Sequence, residues 1–346
     1  MRIVITADPY IPVPPRLYGG IERVIDLLVR GLADRGHDII LIAHPDSRVP
    51  ATLVPYGRAP HVGIVPRGTE LAQVASALWS RRGAVDVIHS FGRLAALLPV
   101  LPLRRIPKIQ SYQRDAVPWR SIARAVRLAG ASISFTGCSS SVYRERPHED
   151  GRWSTIFNGV DLTCYTLTPS VPVDAPLIFL GRLEPIKGAH HAIAIARAAG
   201  RRLIIAGNRV PSSAEYFDQQ IAPHLDGVQV NYVGAVDDAQ KNVWLGQAAA
   251  LLMPIEWEEP FGIVMAEALA CGTPIIAFKR GSVAEVVRDG VNGFACTSIE
   301  DAVKAVGRLP TIRRAAVRAD CEARFSAAVI VSQYEQLYDD MLKVVA

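Results

Sequence analysis

The most constraining feature of this sequence is an alternation of strand-like apolar runs with helical patterns over almost its whole length. The runs lie at 2–6, 39–43, 85–89, 107–111 and 132–138 in the first half, and at 177–181, 203–206, 228–233, 250–253 and 274–277 in the second. Strands that alternate with helices of about 10 to 15 residues are typical of parallel sheets joined by right-handed crossovers. The sequence therefore predicts an α/β protein.

The chain also divides into two regions of this kind. Its 346 residues suffice for two domains, since one domain usually takes about 150 residues. The segment 163–176 concentrates Pro, Thr and Ser without periodicity, which predicts an interdomain linker. We expect two Rossmann-like, doubly wound domains that face each other across a cleft, over 1–168 and 169–327. A helical pattern over 328–346 predicts a final helix that crosses back to the first domain.

Composition removes several classes of protein. Half of the residues are hydrophobic and 21% are charged, which excludes a disordered or collagen-like chain. The five cysteines are widely spaced and form no CxxC pair, so free thiols fit better than a disulfide framework or a zinc site. The first residues lack a signal-peptide pattern, and no apolar stretch is long enough to span a bilayer. We therefore expect a cytoplasmic protein.

Charge is distributed unevenly between the two halves. Residues 1–173 contain 21 Lys and Arg against 13 Asp and Glu, whereas residues 174–346 contain 17 against 20. A basic domain attracts anionic partners. This favours an acceptor that is anionic or lipid-linked, or contact with the inner face of a membrane, and nothing in the pattern indicates nucleic acid.

Paired glycines follow the first predicted strand. Gly19 and Gly20 precede an amphipathic helical pattern in which Ile21, Val24 and Leu28 share a face. Glycines let a backbone approach a phosphate closely, and the helix N-terminus behind them favours negative charge. The same pair also fits an ordinary turn.

Two cations follow the first strand of the second half. Arg182 and Lys187 lie in the stretch GRLEPIKG, just before a predicted helix at 190–199. An arginine and a lysine beside a helix N-terminus are suited to a phosphate group. A solvated charge pair is the alternative.

Two glutamates lie in the stretch EPFGIVMAEALACGTP at 259–274. Glu259 falls in the loop before a predicted helix that begins near Phe261, and Glu267 falls about two turns into it. The residues around Glu267 are small and apolar, so its carboxylate needs a partner. Vicinal hydroxyls of a ribose would supply one. A capping role for Glu259 and a buried salt bridge for Glu267 are the structural alternatives.

These stretches together resemble the retaining glycosyltransferases of family 4. The similarity covers nearly the whole chain, since YGGIERVIDLLVRGLADRGHD, VDVIH, NGVD, GRLEPIKG, YVGAVDDAQK and AEVVRDGVNGF also occur in the family's order. The resemblance implies the two-Rossmann fold called GT-B. It also implies transfer of a hexose-type sugar from a UDP- or GDP-linked donor to an acceptor hydroxyl.

The resemblance assigns roles to matching positions. Arg182 and Lys187 would hold the donor diphosphate, Glu267 the ribose and Glu259 the hydroxyls of the transferred sugar. The remaining donor contacts that it implies are Phe261, Gly262 and Ile263 near the sugar and phosphate, Val236 and Lys241 at the base, and Gly19 and Gly20 at the diphosphate. No Asp-x-Asp metal motif is evident, so no metal and no other cofactor are expected.

One position departs from the family. Many relatives carry a His near the donor sugar after the strand at 107–111, where this chain has Gln113. An amide can hydrogen-bond a sugar hydroxyl but cannot move a proton. His89, which closes VDVIH, is the other catalytic candidate of the first domain, with a structural role as its alternative.

Further alternatives stay open at this point. A basic amphipathic pattern over 119–127 is compatible with a helix on an anionic membrane or with a solvated helix of the first domain. A nucleotide-sugar 2-epimerase has a similar fold, although the paired glutamates argue against it. A catalytically weak sugar-nucleotide-binding protein would also explain Gln113.

Overall fold

The computed structural model describes residues 1–16, 19–57, 67–114, 116–144 and 151–346. These residues form two compact units. Unit 1 comprises 1–159 together with 327–346, and unit 2 comprises 160–326. Within these ranges, no helix combines the length and the apolar character needed to cross a membrane.

Unit 1 is built on a seven-stranded parallel sheet with the order β3-β2-β1-β4-β5-β6-β7. Its strands are β1 (Arg2–Thr6), β2 (Asp38–Ala43), β3 (Thr52–Pro55), β4 (Val87–Ser90), β5 (Lys108–Tyr112), β6 (Ile133–Gly137) and β7 (Arg152–Thr155). Its first helices are α1 (Gly20–Asp34), α2 (Arg67–Arg81) and α3 (Trp119–Ala129). The central strands are apolar and buried because helices cover both faces of such a sheet.

Unit 2 repeats the same plan with six parallel strands in the order β10-β9-β8-β11-β12-β13. These are β8 (Leu177–Leu180), β9 (Leu203–Ala206), β10 (Val230–Gly234), β11 (Ala250–Met253), β12 (Ile275–Phe278) and β13 (Gly293–Cys296). The helices are α4 (Ala189–Ala198), α5 (Ala214–Gln220), α6 (Asp238–Gln247), α7 (Ile263–Ala270), α8 (Val283–Val286), α9 (Ile299–Arg308) and α10 (Arg314–Phe325). Each unit is thus a doubly wound Rossmann-like domain, as the sequence predicts.

The chain returns to unit 1 through its last helix, α11 (Ala327–Val345). Tyr334 and Tyr338 of α11 are fully buried in unit 1. Near the surface, Glu335 accepts hydrogen bonds from Arg35 Nη1 at 2.6 Å and pairs with His37 Nε2 at 2.7 Å. The helix therefore completes the core of the first domain.

The first crossing between the units lies at Gly159–Val160, before the segment 163–176 that the composition marks as a linker. That segment belongs to unit 2, where the Thr168 amide donates to the Cys271 carbonyl at 3.1 Å. The Thr168 carbonyl in turn accepts from Arg314 Nε at 2.6 Å. Its lack of periodicity arises because its backbone groups bond to unit 2 outside any regular element.

Three strands are absent from the sequence-based expectation, namely β3, β7 and β13. Each is the terminal strand of its sheet. The residues of β3 and β7 are exposed or only partly buried, so they lack the continuous apolar run of a central strand.

Candidate active site

Six of the donor residues expected from the sequence, Arg182, Lys187, Glu259, Phe261, Gly262 and Ile263, follow the carboxyl ends of β8 and β11 in unit 2. These two neighbouring strands flank the point where the strand order of the sheet reverses. Ligands of open α/β sheets bind outside the strand ends at such a point. The loop 181–188 follows β8, and the loop 254–262 follows β11 and leads into α7.

A glycine holds these two loops together. Gly188 has a φ of 74°, and a Cβ at this position would lie 2.0 Å from the Pro254 carbonyl oxygen. The Glu256 amide also donates to the Ile186 carbonyl at 2.9 Å. Only glycine permits both the left-handed conformation and this close approach. The two loops therefore bring Lys187 and Glu259 into contact.

Glu259 is the centre of the first ion pair. Its Oε2 accepts from Lys187 Nζ at 2.5 Å and from Trp257 Nε1 at 2.9 Å. The Lys187 ammonium also lies 4.5 Å from the centre of the Trp257 ring, a cation–π contact. Glu259 is buried, and its Oε1 has no hydrogen-bond partner among the described residues. One carboxylate oxygen thus orients the lysine while the other stays available.

Glu267 forms a second ion pair of the same type. It is buried in α7, and its Oε1 accepts a hydrogen bond from Lys241 Nζ of α6. Lys241 Nζ also lies 2.8 Å from Asp238 Oδ1. In the part of the chain that the structure describes, Glu267 Oε2 has no hydrogen-bond partner. Both alternatives from the sequence are therefore compatible with Glu267, because a buried salt bridge and a free acceptor oxygen coexist.

Lys241 is buried beside Glu267. The resemblance implies a place at the edge of the base pocket, which stays a prediction. Val236 lies in the turn between β10 and α6 and is partly exposed. Lys241 is therefore the ion-pair partner of the buried Glu267.

The remaining donor candidates surround the start of α7. Gly262 begins the helix with a φ of 69°, and Ile263 is its first residue. Phe261 is buried against Phe325, with ring centres 5.8 Å apart, and its carbonyl accepts from Ser282 Oγ at 2.9 Å. Arg182 follows β8, is partly exposed and pairs with Glu184 at 2.6 Å. Backbone amides and two cations thus lie around the same strand ends.

His89 does not fit the catalytic role considered for it. The side chain is fully buried in unit 1, and both ring nitrogens are occupied, by Tyr338 Oη and Ser111 Oγ at 2.6 Å each. Burial lowers the pKa of His89 to about 3. A neutral imidazole without contact to solvent cannot exchange a proton with a substrate, so its role is structural.

The glycine pair lies where the sequence places it, between β1 and α1. Gly19 precedes α1 with a φ of 157°, and a Cβ there would lie 2.6 Å from Pro15 Cβ and 2.8 Å from Glu22 Oε2. Gly20 is the first residue of the helix. Burial raises the pKa of the neighbouring Glu22. Tyr18, which precedes the pair, lies outside the described residues.

Gln113 lines a pocket of about 530 Å³ in unit 1. The pocket lies at the carboxyl ends of β1, β4 and β5 and beside α3. Both polar atoms of the Gln113 amide are buried without a hydrogen-bond partner among the described residues. Buried amides are almost always bonded, so a pocket ligand or ordered water is expected to satisfy this one.

Sequence reasoning missed Trp257 and Asp8. Trp257 binds both members of the first ion pair, and Asp8 lines the unit 1 pocket with its pKa raised by burial. A signal for each exists, since both follow a predicted strand that ends at the ligand-binding edge of its sheet.

One group of residues within the described ranges has the composition of a metal site. The ligand atoms of His190, His191 and Glu256 lie within 4.8 Å of one another. His191 Nε2 and Glu256 Oε1 form a hydrogen bond at 2.9 Å. This pair links α4 to the loop after β11, and metal independence of the chemistry stays a prediction.

Comparison with known families identifies both units. Residues 18–163 match the family model Glycosyltransferase Family 4, and residues 173–322 match the model Glycosyl transferases group 1. The chain is a family 4-like glycosyltransferase. The matches give no support to the 2-epimerase alternative.

Two named enzymes and one solved structure show what this glycosyltransferase is similar to. It is 26% identical to glycogen synthase of Mycobacterium tuberculosis, over 86% of this chain and 82% of that protein. It is 28% identical to phosphatidyl-myo-inositol mannosyltransferase of Propionibacterium freudenreichii, over 78% of this chain and 76% of that one. The crystal structure of AviGT4, a glycosyltransferase of avilamycin A biosynthesis, superposes with a TM-score of 0.73 at 26% identity, covering 99% and 98% of the two chains. The glycosyltransferase therefore has the GT-B fold.

Proposed function

We propose that this glycosyltransferase moves a hexose-type sugar from a UDP- or GDP-linked donor to an acceptor hydroxyl, with retention of configuration and without a metal ion. The observation that carries the proposal is the pair of Lys–Glu contacts around α7. Each contact leaves one carboxylate oxygen without a partner among the described residues, at the strand ends where a nucleotide binds.

The donor contacts follow from these free groups. Glu267 Oε2 accepts from a ribose hydroxyl, while Lys241 orients the buried carboxylate through its hydrogen bond to Oε1. Glu259 Oε1 accepts from a hydroxyl of the transferred sugar. Arg182 and Lys187 bind the diphosphate, the first through its planar guanidinium and the second as a point charge.

The chemistry that we propose needs no nucleophile from the protein. The bond between the anomeric carbon and the diphosphate oxygen breaks, and the acceptor oxygen attacks the anomeric carbon on the same face. The acceptor proton passes to the leaving phosphate. Arg182 and Lys187 stabilise the negative charge that develops on the diphosphate, a role that preorganised cations fill effectively.

The acceptor binds to the basic first domain in this proposal. The positive excess of residues 1–173 favours an acceptor that is anionic or lipid-linked. Gln113 bonds a hydroxyl group and takes no proton. The protein acts in the cytoplasm, with contact to the inner face of the membrane where its acceptor is a lipid.

A panel of nucleotides and nucleotide-sugars tests the donor site directly. We expect UDP or GDP, and one matching sugar derivative, to raise the melting temperature of the purified protein in EDTA, because a ligand that binds only the folded state stabilises it. Release of free sugar from the same donor, measured in EDTA, tests the chemistry. Stabilisation without any sugar release or transfer would favour the sugar-nucleotide-binding alternative, and no stabilisation by any member would contradict the donor site.

A further inference from the structure

The pocket of unit 1 has an apolar body. Leu94 and Leu101 are buried in its wall, whereas Leu98 and Leu128 also line it and remain 56% and 44% exposed. A volume of about 530 Å³ is in the range of small-ligand sites. Large aliphatic side chains at an open rim are suited to an apolar ligand that extends out of the pocket.

The charged residues in the segment that forms this pocket are almost all basic. The segment 87–144, which supplies most of the lining, contains nine Lys and Arg against one Asp. It therefore accounts for the positive excess of the first half of the chain. A ligand that enters between β4, β5 and α3 meets a positive field.

Two of the lining arginines are available to a ligand. Arg93 is held by Tyr10 Oη at 2.6 Å and lies 3.8 Å from Glu70. Arg114 and Arg124, in contrast, are exposed and have no hydrogen bond or ion pair within the described ranges. Free guanidinium groups at a pocket mouth are suited to a phosphate or a carboxylate.

The polar end of the pocket lies at the strand ends. Gln113 offers a buried amide, with a donor and an acceptor that lack partners among the described residues. The Asp8 carboxylate lines the same pocket, and it too has no hydrogen bond in the described part of the chain. Burying such groups is unfavourable unless a ligand bonds to them. A hydroxyl group, which both donates and accepts, fits this pair.

Helix α3 buries its apolar face in unit 1 and places one of its arginines in the pocket lining. Its apolar residues Ile122, Ala125 and Ala129 are buried in unit 1, so this face is not available to insert into a bilayer. Arg124 lines the pocket, while Arg120 and Arg127 are exposed but do not line it. The helix is therefore a wall of the pocket, and not a membrane-lying helix.

We propose that the acceptor is an anionic amphiphile. Its hydroxyl-bearing head lies at Asp8 and Gln113, its phosphate or carboxylate contacts Arg114 and Arg124, and its apolar body runs over Leu98 and Leu128. This inference rests on the proposed function, because it names the substrate class of the acceptor site.

A matched set of three probes tests the inference. The first, 1-octylglycerol 3-phosphate, combines hydroxyl, phosphate and chain, whereas glycerol 3-phosphate lacks the chain and 1-octylglycerol lacks the phosphate. We expect calorimetry below the micelle concentration to show binding of the first probe at least ~10-fold tighter than either control, since both the chain and the charged contacts contribute. Equal affinity for the complete probe and either control would overturn the proposal.

Variants locate the binding site. Arg124→Gln is expected to weaken the complete probe by about tenfold while leaving 1-octylglycerol unchanged, because it removes only a charged contact. Leu98→Ser is expected to weaken both chain-bearing probes. Arg127→Gln, on the same helix outside the pocket, should change neither. An equal loss in Arg127→Gln and Arg124→Gln would indicate a diffuse charge effect and sink the assignment.

Two further measurements separate a failure of the acceptor inference from a failure of the donor site, and a membrane-embedded acceptor from a soluble one. Nucleotide binding is measured in every variant, so that intact donor binding with no preference among the probes refutes the acceptor inference alone. Sedimentation with phosphatidylcholine vesicles, with and without the complete probe, distinguishes a membrane-embedded acceptor, which carries the protein into the pellet, from a soluble one. Either result supports the pocket assignment if Arg124→Gln weakens the association and Arg127→Gln does not.

Discussion

The two sheets share one strand order, but their ligand-binding edges differ in how polar groups are satisfied. In unit 2 each buried glutamate is paired with a lysine of the same unit. In unit 1 the buried amide of Gln113 has no partner within the described ranges, and Arg124 lines the same pocket without a hydrogen bond or ion pair there. The lysine-paired glutamates keep their geometry without a ligand, whereas the Gln113 amide depends on a ligand or water for its hydrogen bonds. If unit 2 binds the donor and unit 1 the acceptor, as we propose, the donor site is preorganised and the acceptor site is completed by its substrate.

The largest effect expected is that of Lys187→Ala. This change removes a cation from the diphosphate and leaves Glu259 with Trp257 alone. We expect kcat/KM to fall by ~10²- to 10³-fold, the loss typical of a preorganised electrostatic contact. Steady-state transfer kinetics measure it, with the exposed Lys304→Ala as a control of equal charge change. Similar kinetics in the two variants would show that the edge with the lysine-paired glutamates is not the reaction centre.

Glu267→Ala should affect both stability and binding. It leaves the Lys241 ammonium with Asp238, 2.8 Å away and more exposed, as its remaining carboxylate partner, so we expect a cost below the about 3 to 5 kcal/mol of an uncompensated buried charge. We expect a lower melting temperature and no further rise on addition of nucleotide.

The double variant Lys241→Met with Glu267→Leu separates these two effects. An apolar pair of similar volume should recover stability, because it removes both charges together. Nucleotide-induced stabilisation should stay absent. Recovery of nucleotide binding by this variant would contradict the role of Glu267 at the ribose.

The pH dependence of stability tests the environment of His89, a buried residue of unit 1 whose two ring nitrogens are both hydrogen-bonded. His89 has a folded pKa of about 3, against 6.5 in the unfolded chain. Between these values the unfolded state binds the additional proton, so stability decreases as pH falls below 6.5. From pH 6.5 to pH 5 we expect a loss of about 1.6 kcal/mol. Denaturant titrations of the wild type and His89→Gln measure it, and a His89 imidazole that titrates near pH 6.5 by NMR would contradict this assignment.

Gln113→Met is expected to have the smallest effect on stability, and it should raise the stability where Glu267→Ala lowers it. Replacing a buried amide that lacks partners by an apolar side chain of similar size should stabilise the protein by about 1 kcal/mol. The KM for the acceptor should rise while nucleotide binding stays unchanged. Loss of stability in this variant would show that the amide is already satisfied, and would remove the contrast between the two edges.

The fold was predictable where strands are buried and less so at the sheet edges. The apolar runs of β1, β9 and β11 coincide with the observed strands. The terminal strands β3 and β7 were missed because one side of each has no neighbouring strand and their residues are not all apolar. Periodicity reports burial, so it is weakest where burial is partial.

The sequence identified the residues of the candidate site but not which of them form ion pairs with one another. The motifs identified Lys187, Glu259 and Glu267, yet the two ion pairs join residues 72 and 26 positions apart. His89 was a catalytic candidate because it closes the stretch VDVIH, and the sequence does not show its contact with Tyr338, which lies 249 positions away along the chain. Only the tertiary structure shows that such a side chain is enclosed.

The return of α11 to unit 1 has a consequence for the order of folding during synthesis. Tyr338 of this helix encloses His89, and Val331 packs on Gly31 of α1, where a Cβ would lie 2.5 Å from a Val331 methyl group. The ribosome makes all of unit 2 before it makes these residues. The first domain therefore waits, with part of its interior open, until the second has left the exit tunnel, whereas unit 2 is continuous in sequence and can finish first.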